Sequence, residues 1–144
     1  MKTFSTALDF LVEKKAYAQC HKVLGIMERA YAKLNQSQRL HQVPTMRVIL
    51  FLADNDVPAA DHEFTAQLGT LEGWAATRDC EVAEELIAAF RAADPEKLAA
   101  AHALPVWGFL PNRVSVCARV RERACARAAR LVCSVLQTWP TTCR

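Results

Sequence analysis

Apolar side chains recur every three or four positions through the first part of the chain, which is the spacing of one face of an α-helix. The pattern predicts a first helix over residues 3–14 and a second over 17–34, with a polar break between them. The apolar positions of these two helices are Phe4, Ala7, Leu8, Leu11, Val12, Tyr17, Cys20, Leu24, Met27, Tyr31 and Leu34.

Prolines and polar clusters divide the middle of the chain. Because proline is tolerated in the first turn of a helix, Pro44 is predicted to open a third helix, which is apolar nearly all round. The polar turn 54–56 ends it, and Pro58 lies near the start of a fourth helix. The clearest loop follows at 71–76, and Thr77 is a candidate N-cap for a fifth helix.

The remaining residues predict a fifth helix that ends near residue 94, a short helix over 95–102 and a last helix over 113–136. Seven helices joined in pairs by short turns indicate an all-α fold, and no strand-like alternation competes with it. Each helical hairpin hides one face only when another hairpin stacks beside it, so the expected architecture is an αα-hairpin solenoid.

Charge is distributed unevenly between two parts of the chain. Residues 1–111 carry 11 Lys/Arg and 14 Asp/Glu, whereas residues 112–144 carry seven Arg and one Glu. We therefore distinguish an acidic helical segment, 1–111, from a basic C-terminal helix and tail, 112–144. No apolar run is long enough for a membrane span, and the first residues lack the features of a signal peptide. A cytoplasmic protein, at most peripheral on membranes, is expected.

Six cysteines are present, but none belongs to a Cys-x-x-Cys motif and all lie in helix-like patterns. Buried, reduced thiols are therefore expected instead of disulfides or metal ligands. The positions are Cys20, Cys80, Cys117, Cys125, Cys133 and Cys143.

The search for catalytic or metal-binding motifs gives no site. Asp54, Asn55 and Asp56 begin like a calcium-binding loop, but Ala59 and Thr65 replace the required Gly and Glu. A helix–helix turn is the better interpretation. No Gly-rich phosphate loop and no set of nucleophile, base and oxyanion donors can be placed, so neither an enzyme nor a cofactor is expected.

Two charged clusters are candidates for binding. The first lies on the fifth helix and contains Asp79, Glu81, Glu84 and Glu85. It is either a solvated acidic surface or an electrostatic docking surface; a general acid–base pair is the less common alternative. The second, on the last helix, would bind anionic lipid or an acidic partner, or would only expose its arginines while a Val/Ala stripe packs inward; it contains Arg119, Arg123, Arg127 and Arg130. Without interleaved aromatics, nucleic acid is not expected as a partner.

Two sequence motifs occur in the middle of the chain. Residues 50–61 contain an Asn-Asp turn before an Ala-Ala pair. Residues 77–87 contain an acidic residue followed by a cysteine, at the start of a helix that carries further acidic residues. In this order and at this separation they resemble the C-terminal part of the soluble NSF attachment proteins, most of all the gamma type. The resemblance covers roughly residues 5–115.

The resemblance implies a tetratricopeptide-like α-solenoid that ends in a small helical bundle. It also implies a non-enzymatic adaptor in vesicle trafficking, which holds SNARE complexes and recruits the NSF ATPase to disassemble them. Its ATPase-facing acidic helix would comprise Asp79, Glu81, Glu84, Glu85 and Asp94, while Ala88 and Arg91 stand where the family has acids. The alternative from the residues alone is a generic helical-repeat scaffold that binds through its basic C-terminal helix.

Overall fold

The computed structural model describes residues 2–92, 96–97 and 100. Over these residues the protein is all-α, without a β-strand, and its helices form successive hairpins in a tetratricopeptide-like arrangement. The predicted fold class is therefore confirmed. The elements are α1 (Lys2–Glu13), α2 (Tyr17–Lys33), α3 (Ser37–Ala53), α4 (Val57–Thr70), a short 3-10 helix (Trp74–Ala76) and α5 (Arg78–Ala92).

One turn geometry is used three times between the first four helices. The middle residue of each three-residue turn has a positive φ: 54° at Lys15, 51° at Asn35 and 67° at Asn55. In the third turn the amide of Asn55 donates to the carbonyl oxygen of Leu52 at 3.1 Å, and the next amide reaches back five residues. The same pair of bonds closes the other two turns, which is the Schellman pattern. Identical closures reverse the chain at regular intervals and set the helices antiparallel.

The prediction for the start of the third helix was wrong. Helix α3 begins at Ser37, and Pro44 lies inside it as a buried residue. A proline in a helix interior removes one hydrogen bond, here to the carbonyl of Leu40, at a cost of about 3 kcal/mol. Its neighbours Val43 and Met46 are also buried, so packing of this segment offsets the loss.

The other boundaries agree closely with the sequence patterns. Thr77 caps α5 as predicted, because the amide of Cys80 donates to its Oγ1 at 3.3 Å. Leu34 departs from its predicted place in the apolar stripe, since it lies just past α2 and is 59 % exposed. The predicted helices over 95–102 and 113–136 lie outside the described residues, apart from isolated helical positions in the first.

Helix α3 occupies the centre of the described fold and packs against α2, α4 and α5. Most of its apolar residues are inaccessible to solvent, as predicted for a helix that is apolar nearly all round. The largest fully buried side chains of the core are Trp74, Leu8, Leu24, Ile49, Leu50, Leu52 and Leu86.

A single cation, Arg47, joins three helices through partly buried ion pairs. Its guanidinium binds Glu28 of α2 and, at 2.9 Å, the Oε1 of Glu63 in α4. Gln67 donates to the same Glu63 oxygen at 3.0 Å. Because only 15 % of the Arg47 side chain is exposed, these carboxylates compensate a charge that water barely reaches.

The two cysteines of the described residues, Cys20 and Cys80, are buried thiols that form no disulfide, as expected. None of the described helices combines the length and the apolar character that crossing a bilayer requires.

Candidate functional site

Three glutamates project from the solvent side of α5 and form what we call the acidic stripe: Glu81, Glu84 and Glu85. All three are exposed, while Val82, Ala83 and the other inward positions of the same helix are buried. Residues three and four apart share one side of a helix, so the three carboxylates converge over little more than one turn, a rise of about 6 Å. Such a cluster presents concentrated negative charge to a partner.

Asp79 does not belong to this surface. It is half-buried, and its backbone carbonyl accepts a hydrogen bond from Thr45 Oγ1 at 3.0 Å, which holds the start of α5 against α3. Burial raises the pKa of the Asp79 carboxyl, an effect that nearby His41 partly opposes. The fifth residue of the predicted acidic helix, Asp94, lies outside the described residues.

Arg91 bounds the acidic stripe at the C-terminal end of α5. Its Nη2 lies 2.7 Å from Oδ1 of Asp61 on α4, and solvent reaches about half of each side chain. An arginine thus stands where the resemblance leads one to expect an acid, with its charge directed at a neighbouring helix. Ala88, the other departure, is exposed and leaves a small uncharged gap beside the stripe.

The thiol on the same helix as the stripe is unsuited to nucleophilic chemistry. Cys80 is 5 % exposed. Burial raises its pKa, and the charges of Glu84 and Glu81 raise it further, so the thiol keeps its proton. The α5 surface therefore offers charge for recognition and no activated cysteine.

The calcium-like stretch is a helix–helix turn, as the sequence indicated. Asn55 supplies the positive φ, and Asp56 caps α4 by accepting a hydrogen bond from the amide of Ala59 at 3.0 Å. Among the described residues, no group of three His, Cys, Asp or Glu side chains could hold a metal ion.

Two of the described histidines, His21 and His41, contact neighbouring structural elements. The ring of His21 stacks on Phe51 with centroids 4.1 Å apart. Burial lowers the pKa of His21, and the charge of Arg47 lowers it further. His41 lies with Nε2 3.3 Å from the carbonyl oxygen of Glu72, at the loop before α5.

Sequence reasoning missed a basic surface on α2, which we call the basic stripe: Lys22, Arg29 and Lys33, with Ile26 between them. All four residues are exposed. Their spacing of four, three and four positions along the predicted second helix was the available signal. The four candidate arginines of the last helix, by contrast, lie outside the described residues.

The chain has a distant similarity to a known protein. No family model matches the sequence. Over 117 residues the chain is 24 % identical to the gamma-soluble NSF attachment protein of Dictyostelium discoideum. The matched stretch is 81 % of this chain and 36 % of that protein, so the chain spans about a third of its relative. This similarity supports a relationship to the attachment proteins at a distance.

Proposed function

We propose that the chain is a non-enzymatic adaptor of vesicle trafficking, which links SNARE complexes to an NSF-type ATPase through α5. Two independent observations support this proposal. First, the chain is similar to part of an NSF attachment protein. Second, α5 exposes three clustered carboxylates, and α5 is the helix at which the resemblance leads us to expect contact with the ATPase.

The observation that carries the proposal is the exposure of the acidic stripe on a helix held firmly from behind. Leu86 and Ile87 anchor α5 in the core, so the glutamates are presented by a rigid element. A basic patch on the ATPase would attract them over several ångströms, raising the association rate and fixing orientation. Such an attachment weakens as salt screens the charges.

Charge reversal within the stripe tests the proposal. The double variant Glu84→Lys/Glu85→Lys should bind a purified NSF-type ATPase about tenfold more weakly than the wild type at moderate salt, because attraction becomes repulsion. A matched control, Asp54→Lys/Glu72→Lys, changes the net charge equally at exposed positions away from the stripe. Both variants should keep the helical circular dichroism of the wild type, since every altered side chain is exposed.

Equal binding by the stripe variant and the wild type would remove α5 as the contact. If the unmodified protein shows no affinity for the ATPase at low salt, the adaptor assignment itself falls, whatever the variants do.

A further inference from the structure

The described residues divide into a basic and an acidic part. Residues 1–34, which form α1, α2 and their turn, hold six Lys/Arg and three Asp/Glu. Residues 35–92 hold four Lys/Arg and nine Asp/Glu. An extended anionic surface therefore attracts the first two helices and repels the remainder.

The basic stripe concentrates the positive charge of the first part on one side of α2. Its residues fall within about 60° of the helix circumference and extend over about 17 Å. The buried positions of α2, such as Leu24 and Tyr31, lie on the opposite side. The cations of the stripe are therefore fully turned to solvent.

No carboxylate neutralises the stripe within the described residues. The single acidic residue of α2, Glu28, points away from it and forms a partly buried ion pair with Arg47 of α3. None of Lys22, Arg29 and Lys33 forms an ion pair with a described residue. Three uncompensated cations on one helix face are an electrostatic binding surface for phosphate or carboxylate groups.

Exposed apolar side chains accompany these cations. Ile26, in the middle of the stripe, is 48 % exposed, and Phe10 and Leu34 are each more than half exposed. Of the large hydrophobic residues that the described part of the chain leaves open to water, only Leu68 lies beyond residue 34. Basic residues interleaved with an exposed aliphatic residue, as along the stripe, are typical of interfacial membrane-binding helices.

We propose that the basic stripe of α2 binds the surface of a membrane that contains anionic phospholipids. The cations contact the lipid phosphates and carboxylates, and Ile26 enters the headgroup boundary between them. Repulsion of the acidic part disfavours binding through residues 35–92, so the acidic stripe of α5 stays available while α2 is on the membrane. The site is independent of the proposed ATPase contact.

Ile26 favours a lipid surface over an acidic protein or a nucleic acid. A water-soluble polyanion would bind the three cations, but its affinity would gain nothing from an aliphatic side chain that remains in water. The stripe also contains no aromatic residue on which a base could stack.

Vesicle flotation with the full chain tests the proposal. The wild type should bind phosphatidylcholine vesicles that contain about one-third phosphatidylserine, fail to bind vesicles of phosphatidylcholine alone, and dissociate as salt is raised. The variant Lys22→Gln/Arg29→Gln/Lys33→Gln should bind the anionic vesicles at least about tenfold more weakly. The control Arg39→Gln/Arg78→Gln/Arg91→Gln removes the same charge at exposed positions outside α2 and should lose much less binding.

A second variant separates the membrane from other anionic partners. Ile26→Ser should weaken vesicle binding severalfold while leaving the weak binding of soluble poly-glutamate unchanged. The proposal is overturned if the wild type does not bind anionic vesicles at low salt, if the α2 variant binds them like the wild type, or if the control variant loses as much binding as the α2 variant. It is also overturned if Ile26→Ser has no effect and poly-glutamate binds as tightly as the vesicles, which would identify an acidic macromolecule as the partner.

Discussion

Arg47 and Arg91 show how burial decides what an ion pair contributes to stability. Arg47 is enclosed by α2, α3 and α4, so its charge and those of Glu28 and Glu63 depend on each other for compensation. Arg91 forms a similarly short ion pair with Asp61, but water reaches both charged groups of this pair. Only the two ion pairs of Arg47 should contribute strongly to the specific arrangement of the helices.

Replacing Arg47 by alanine should therefore lower the free energy of unfolding by about 2–3 kcal/mol, because two partly buried carboxylates lose their cation. Arg91→Ala should cost less than about 1 kcal/mol. Urea denaturation followed by circular dichroism measures both. Equal costs for the two variants would contradict the structural role given to Arg47.

Asp79 should affect stability in a pH-dependent way. Because burial raises its pKa in the folded protein above the unfolded value, the folded state favours the protonated acid. Its contribution to stability is present at pH values below the unfolded pKa and is lost as pH rises through the folded pKa.

At neutral pH, Asp79→Asn should therefore be more stable than the wild type, and the difference should shrink as pH falls toward 4, near the unfolded carboxyl pKa. Denaturation at several pH values measures this trend. Since Asp79 lies outside the acidic stripe, the variant should also keep its affinity for the ATPase. A neutral variant that is less stable than the wild type at pH 7 would show that burial is not the dominant influence on this carboxyl.

At the scale of the elements, periodicity predicted α1, α2 and α5 well because each of them has one continuous buried side. The error at Pro44 arose from local rules, which cannot weigh the burial of Val43 and Met46 against a missing hydrogen bond. Asn35 and Asn55 were recognisable turn residues, since asparagine tolerates positive φ. Lys15 was not, because a lysine in that conformation is tolerated only through the hydrogen bonds that close the turn.

The recurring turn makes a direct prediction about backbone strain. Lys15→Gly should stabilise the protein by about 0.5–1 kcal/mol, because glycine adopts φ of 54° without a steric cost. Asn55→Gly, at a residue already suited to that conformation, should change stability by much less. Thermal and urea unfolding of both variants measure the contrast, and a destabilised Lys15→Gly variant would show that the lysine side chain makes a contribution beyond the backbone.

At the scale of the whole molecule, an acidic helix could be predicted from the sequence, but not which of its carboxylates share an exposed surface. Glu81, Glu84 and Glu85 are exposed together, whereas Asp79 is half-buried, because it precedes Glu81 by two residues and so lies about 200° away from it around the helix. That distinction depends on where neighbouring helices pack. The basic stripe was missed for a related reason. The sequence places Glu28 among its cations, and only the structure shows that this carboxylate pairs with Arg47 and leaves the charge of the stripe uncompensated among the described residues.

Site-specific photo-cross-linking tests the central claim, attachment of an NSF-type ATPase through α5, most directly. A photoreactive residue at Ala88, exposed beside the acidic stripe, leaves every charge of that stripe in place, and the same residue at exposed Ala32 on α2 serves as the control. We predict a light-dependent adduct with the ATPase from position 88 and little or none from position 32. No adduct from position 88, or equal adducts from both positions, would contradict the account.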